Sequence, residues 1–374
     1  MKKRLSYILL FACLASCVYP YDIELGSGEN DHILVVDGEI LTGGTSTIRL
    51  SYLTPLVQDY SNEEKPQAKA WIEDEDGNKY SGTKTLSDRF STPMLNARPN
   101  KNYRAVIEAD GETYVSDWQK PDYGPTVTDI YFDADRNFVT VHAQIESGLN
   151  DTGYAALTFE ETWEFHSEFP AQIFVNTKTW AYEAIDYDYP YYWCFRDAES
   201  PERILVDYSR HLAGSWAYPV QRFARTNNRN HRRYSILVKV IALSEEAYNY
   251  NKQVQNQARS GSDLFSPEPG AMRGNLRCLS QPEKQVMGLV TAGNVSYKRA
   301  FLDSRYLINT RPNEASLHAV TLEEMPYLYY EQGERPIANI HVDGMGTTVG
   351  WGPERCINCV LAGGYQQKPS FWIW

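Results

Sequence analysis

Apolar and polar residues alternate at every second position in short stretches from residue 32 onward, and Gly, Pro, Asn and Asp break these stretches apart. A period of two puts one face of a strand in a core and the other in water. Stretches 33–36, 47–52 and 68–72 read as strands, the last running into Asp76-Gly77, while 102–108 turns at Asp110-Gly111 and returns as 112–115. Asp-Gly between two such runs is a strong hairpin signal, because both residues tolerate the positive φ that a tight turn needs. Strands at this spacing, with no helical stretch among them, predict an immunoglobulin-like β-sandwich over residues 32–120. Two prolines and a glycine within residues 120–125 mark the predicted boundary, since they favour an extended connector.

Beyond the connector, 126–132 and 138–145 form another predicted hairpin, 154–165 continues the alternation, 204–208 is short, and 234–242 reads as a buried central strand. One helix is predicted: Ser244 is a good N-cap, Glu245 and Glu246 suit the positive end of the helix dipole, and Gly261 can end it. Strands 286–290 and 294–297 are expected to close a second domain, and 303–336 is read as an irregular connector. The expected fold is mostly β: an immunoglobulin-like sandwich followed by a β-rich domain over 121–374 with one α-helix.

Composition fits this picture, with 42% hydrophobic and 13% aromatic residues in a chain of 374, enough to bury a core. The formal net charge of −12 gives no electrostatic reason to seek nucleic acid or anionic headgroups. The arginines between Arg222 and Arg233, interrupted by Asn and Thr, read as a solvated loop rather than a phosphate-binding patch.

The N-terminus changes the picture more. Lys2, Lys3 and Arg4 precede a short apolar stretch, 5–14, and Leu14-Ala15-Ser16-Cys17 ends it as a bacterial lipoprotein leader ends. The stretch is shorter than the ~20 residues that cross a bilayer. Residues 1–16 are therefore expected to be removed, Cys17 to carry a diacylglycerol anchor that holds the chain to a membrane, and 17–31 to serve as a flexible tether. An exported chain meets an oxidising compartment, so Cys194, Cys278, Cys356 and Cys359 are read as disulfide cysteines, with Cys194 paired to Cys278 and Cys356 to Cys359. Zinc and redox readings of Cys356-Ile357-Asn358-Cys359 stay open beside this one, although the run leads into a poor helix former and its partners stand alone.

Motifs for chemistry are sparse. Asp74 to Asn78 and Asp133 to Asn137 superficially resemble calcium loops but sit where hairpins need turn residues. The glycines between Gly344 and Gly352 run into Pro353 rather than a helix, which reads as a surface loop, and no His-Glu-x-x-His or Gly-x-Ser-x-Gly occurs. Glu160 and Glu164 would share one strand face and Glu161 the other, a spacing permissive for sugar hydrolysis but ordinary for a half-exposed strand. No catalytic residue, metal or cofactor is assigned. Aromatic residues carry more weight: Tyr187, Tyr189, Tyr191, Tyr192 and Trp193 crowd one segment. Such rings stack on a sugar or anchor a protein interface, and they equally pack across strands.

Taken together, the leader ending at Cys17, ILVVDG at 33–38, YWC at 192–194, RYSILV at 233–238 with LSEEAY at 243–248, and GN at 274–275 ahead of VMG at 286–288 are similar to one family. CINC at 356–359 followed by KPSFW at 368–372 completes the pattern. The sequence resembles Bacteroidota outer-membrane lipoproteins of domain-of-unknown-function family 4249. The resemblance implies an immunoglobulin-like N-terminal part, a second β-rich part, and genes lying beside those of a TonB-dependent outer-membrane receptor; it supplies no catalytic residues. The expected role is an accessory or ligand-binding partner of that receptor, held by lipid at the cell surface rather than the periplasmic face. The alternative is a free-standing surface lipoprotein that binds glycan or peptide through residues 187–193.

Overall fold

The computed structural model describes residues 33–53, 66–86, 88–94, 96–260, 274–303, 317–344 and 346–373. The leader, Cys17, the tether and Gly261 lie outside the described residues. The described chain is mostly β. In order it forms β1 (Leu34–Thr42), β2 (Thr45–Tyr52), β3 (Ala68–Asp74), β4 (Lys79–Ser81), β5 (Thr83–Leu86), β6 (Arg89–Pro93), β7 (Tyr103–Ala109) and β8 (Glu112–Ser116). There follow β9 (Thr126–Ala134), β10 (Phe138–Glu146), β11 (Tyr154–His166), β12 (Ile173–Val175), β13 (Tyr182–Ala184), β14 (Trp193–Glu199), β15 (Ile204–Asp207), β16 (Ser215–Ala224) and β17 (Arg233–Leu243). Helix α1 (Glu245–Ser260), β18 (Leu276–Cys278), β19 (Val286–Asp303), β20 (His318–Ala319), helix α2 (Met325–Tyr330), β21 (Glu334–Val342) and β22 (Gly346–Pro353) complete it.

Two sheets enclose the first core. One runs β19-β1-β2-β6-β5 and the other β18-β8-β7-β3-β4. The alternation is the cause: Leu34, Val36 and Ile40 of β1, Ile72 of β3, Ile107 of β7 and Val290 of β19 all point into one buried cluster. The hairpin signals are realised, with Asp110 at φ 54° and Gly111 at φ 80° joining β7 to β8. Residues 32–120 do not close this sandwich by themselves, however. Strands β18 and β19 return from beyond residue 270 to flank it.

Strand β19 accounts for this. Where two strands were expected at 286–290 and 294–297, one unbroken strand of 18 residues forms. Its first half, to Asn294, pairs parallel with β1, and from Val295 it pairs antiparallel with β17. Gly293, at the changeover, lets the neighbouring strand approach, since a Cβ there would stand 2.3 Å from the Ala242 carbonyl oxygen. Both halves thereby belong to one nine-stranded sheet, β14-β11-β17-β19-β1-β2-β6-β5 with β15 on β11.

The second half of that sheet packs on β16-β10-β9 over a core that includes Val141, Phe159, Trp163, Tyr234 and Val238. On its outer face α1 covers Ala156, Ile241 and Leu243, and the Ala247 N–H donates to Ser244 Oγ at 3.1 Å as an N-cap should. A further small sheet, β20-β22-β21, packs with α2 and the β12-β13 hairpin through Ile337, Trp351, Met325 and Val175. Two expectations fail here. Residues 303–336 are not simply irregular, because α2 lies among them, and the glycine run is strand β22 rather than a surface loop. The glycines serve close packing: a Cβ on Gly350 would meet Ile340 Cγ2 at 2.7 Å.

Candidate functional site

The aromatic segment enters β14, so its placement follows from the pairing of β14 with β11. That register sets Trp193 opposite His166, Cys194 opposite Phe165, and Arg196 opposite Trp163. Cys194 is bonded to Cys359, not to Cys278. The expected pairing fails for a spatial reason. Cys278 lies on β18, buried against Tyr114 in the first sandwich, whereas Cys194 lies at the far edge of the second. Cys356, though only three residues from Cys359, turns the other way, into the cluster with Ile337 and Ile357. Cys278 and Cys356 are buried free thiols, and burial raises the Cys356 thiol pKa.

Around the disulfide, the C-terminal loop and the aromatic segment are tied by main-chain hydrogen bonds. The Cys359 N–H donates to the Tyr191 carbonyl at 2.9 Å, and Phe195 and Tyr365 exchange two such bonds at 2.7 and 2.9 Å. Gln366 Nε2 reaches the Pro190 carbonyl at 2.5 Å, and the Ser167 N–H donates to the Tyr192 carbonyl at 2.9 Å. Trp372 closes the cap as a buried wedge between the rings of Phe195 and Phe301.

The five rings divide into two groups. Tyr187 is 61% exposed, Tyr191 39% and Trp193 37%. Tyr189 and Tyr192 are partly buried instead. Tyr189 packs on the Ile337, Cys356 and Ile357 cluster, its ring edge-on to Tyr191 at 5.5 Å. Tyr192 stacks on His166 at 5.1 Å, and His166 stacks in turn on His231 at 4.1 Å. Burial raises the phenol pKa of both Tyr189 and Tyr192. His166 Nδ1 stands 2.6 Å from the Ser167 carbonyl oxygen, which can only accept, so Nδ1 carries a proton.

Charge is supplied from beneath. The Arg232 guanidinium lies 5.0 Å from the Trp193 ring centroid and is hydrogen-bonded at 2.6 Å to Glu164. Glu164 is 3% exposed, and burial raises its pKa even against Arg232. The arginine cluster is accordingly no solvated loop. Arg229 is ion-paired to buried Glu161, which also accepts from the Tyr234 hydroxyl at 2.9 Å, while Arg222 and Arg225 reach Asp135. Glu160 and Glu164 do share the outer face with Glu161 on the other, and all three carboxylates are engaged by Lys239, Arg232 and Arg229 respectively. Among the described residues no group of three or more His, Cys, Asp or Glu could hold a metal ion.

The site is thus a platform of three exposed rings, backed by a second tier of stacked rings and one arginine. It can stack on a flat partner and accept a hydrogen bond at each phenol. Sequence reasoning located the rings but missed His166, His231 and Arg232. The end of the alternating stretch at His166 was the available signal for one; nothing local to residues 187–193 pointed to the other two.

Residues 18–299 match the model of the family described as Domain of unknown function (DUF4249). The chain belongs to that family. The matched residues include the aromatic segment and all of β11, β14 and β17, and they stop before Cys359 and the C-terminal cap. No curated protein matches the chain. Among solved structures, the crystal structure of trypsin-activated alpha-2-macroglobulin from Escherichia coli aligns at 10% identity, over 59% of this chain and 14% of that one, with a TM-score of 0.17.

Proposed function

We propose that the protein is a lipid-anchored outer-membrane lipoprotein that docks onto a TonB-dependent receptor through Tyr187, Tyr191 and Trp193. The observation that carries this reading is the combination of exposure and rigidity: three large rings face solvent on a segment fixed by the Cys194–Cys359 bond and by main-chain hydrogen bonds on both flanks. Rings held in place lose little entropy when a partner covers them, which is how aromatic anchors come to dominate interface energy. The disulfide also suits an exported protein. Under this reading the N-terminal sandwich is an immunoglobulin-like spacer above a tether that begins at Cys17. Roughly 15 tether residues reach at most about 50 Å, which keeps the body beside the membrane and raises its effective concentration against a neighbouring barrel.

The same rings would serve a free-standing glycan- or peptide-binding lipoprotein, favoured by the stacked Tyr192, His166 and His231 rings that back Trp193. A pull-down of the native lipoprotein from detergent-solubilised outer membrane, read by mass spectrometry, separates the two. An integral β-barrel receptor in the eluate supports docking; a ligand-binding protein recovered without any barrel overturns it.

A further inference from the structure

On the same outer sheet face, but at the opposite end of β14 from Trp193, a groove of about 380 Å³ lies where the two sandwiches meet. Glu199 on its rim lies six positions along β14 from Trp193, which puts the two sites about 20 Å apart. One wall is β1, β2 and β6 of the first sandwich; the other is β11, β17 and the turn after β14. Junctions of this kind are where small-molecule sites concentrate.

The groove's charges divide into matched and unmatched groups. Arg203 Nη1 stands 2.9 Å from Glu39, Lys239 is bonded to Glu160, and Glu202 is held by Arg259 at 2.7 Å. Asp37, the residue opposite Arg49 across β1 and β2, lies 3.7 Å from Arg203. That leaves two arginines. Arg49 and Arg89 sit directly opposite each other on β2 and β6, both lining the groove, with no carboxylate of the described residues within ion-pair distance of either. Arg89 is partly buried, and its Nε is shielded from solvent without a hydrogen-bond partner. Two guanidiniums set side by side with no counter-charge among the described residues repel each other, and an anion reaching both from the groove would relieve that. Across the groove, Glu199 has no ion-pair partner among the described residues.

We propose that this groove binds a small zwitterion, an amino acid or short peptide, whose free carboxylate is clamped by Arg49 and Arg89 and whose ammonium group faces Glu199. The planar forks of two adjacent arginines match a carboxylate in a way two lysines would not. The volume suits a ligand of a few residues, and the carboxylate at Glu199 selects against a plain dianion. This site does not depend on the docking surface, so either assignment can fail alone.

Isothermal titration of the mature protein with dialanine, its C-terminal amide and its N-acetyl form tests the assignment. Dialanine is expected to bind, with the amide and the N-acetyl form each weaker by about tenfold or more, the effect of losing one charge-assisted interaction. Arg49→Gln with Arg89→Gln should abolish binding while leaving the melting temperature unchanged. Should that double variant fold poorly, Glu199→Gln decides: it should weaken dialanine and leave the N-acetyl form unaffected. No binding of dialanine at millimolar concentration, equal binding of the amide, or indifference to Glu199→Gln would overturn the proposal.

Discussion

Cys194 and Cys359 are bonded across 165 residues, and the bond fastens the aromatic segment to the loop that caps β14. A crosslink closing so long a loop restricts the unfolded chain by about 5 kcal/mol in the chain-entropy model. Replacing both cysteines by serine is therefore expected to cost about 2–5 kcal/mol of stability, measured by denaturant unfolding under non-reducing conditions. It should also speed amide exchange at Tyr191 and Tyr192. Replacing Cys278 should leave the loss of stability on adding reductant as it is in the native protein, since Cys278 forms no bond.

Tyr187 and Tyr189 are two residues apart and predicted to behave differently. Tyr189→Ala removes a ring from the Ile337 and Cys356 cluster and should destabilise by about 1–3 kcal/mol. Tyr187→Ala removes a ring that is mostly in water and should shift thermal unfolding very little. Equal shifts in the two melting temperatures would contradict the division of the rings into a buried and a presented group.

Two carboxylates give stability a definite pH dependence. Burial pushes Asp122, in the connector between the sandwiches, up to about 6. The folded protein therefore keeps this proton between about pH 4 and 6 while the unfolded chain has lost it, so stability falls as pH rises through that window. Asp122→Asn should remove the penalty and gain at most about 3 kcal/mol above pH 6, less after screening by solvent, with almost no gain at pH 4. Asp74 has the opposite sign. Burial alone would raise it, but hydrogen bonds from Asn78 and Lys101 outweigh burial and bring it down to about 2. Its contribution is present above pH 4 and lost as pH falls towards 2, a loss that Asp74→Asn should flatten. Denaturant midpoints across pH 2–8 check both.

Most of the individual strands were legible in the alternation, because Leu34, Val36, Ile72 and Ile107 report their own burial through their spacing. Ser244 and the two Asp-Gly turns were legible for the same local reason. Pairing was not. Nothing in residues 34–42 reveals that they lie parallel to 286–294, and Gly293-Asn294, which read locally as a break between two strands, lie inside one continuous strand that changes partner there. The cysteines failed likewise: closeness in sequence suggested Cys356 with Cys359, whereas the sheet register at Phe165 and the cap decide which thiols face each other. The rings of 187–193 were visible as a group, but which of them face water depended on the distant cluster around Ile337.

The proposed lipid anchor on Cys17 is tested separately from the folded body. Cys17→Ser should move the protein to the soluble fraction, since each buried methylene of the acyl chains contributes about 0.8 kcal/mol to membrane affinity. Retention on membranes after a salt wash would place the anchor elsewhere.

Docking through the presented rings is the central claim, and quantitative recovery of the receptor barrel tests it most directly. The native protein and the Tyr187→Ala, Tyr191→Ala, Trp193→Ala variant would be purified from solubilised outer membrane at matched abundance and matched melting temperature. With about 2 kcal/mol or more expected from each buried anchor ring, barrel recovery should fall at least tenfold in the variant. Equal recovery of the barrel by both proteins would contradict the account.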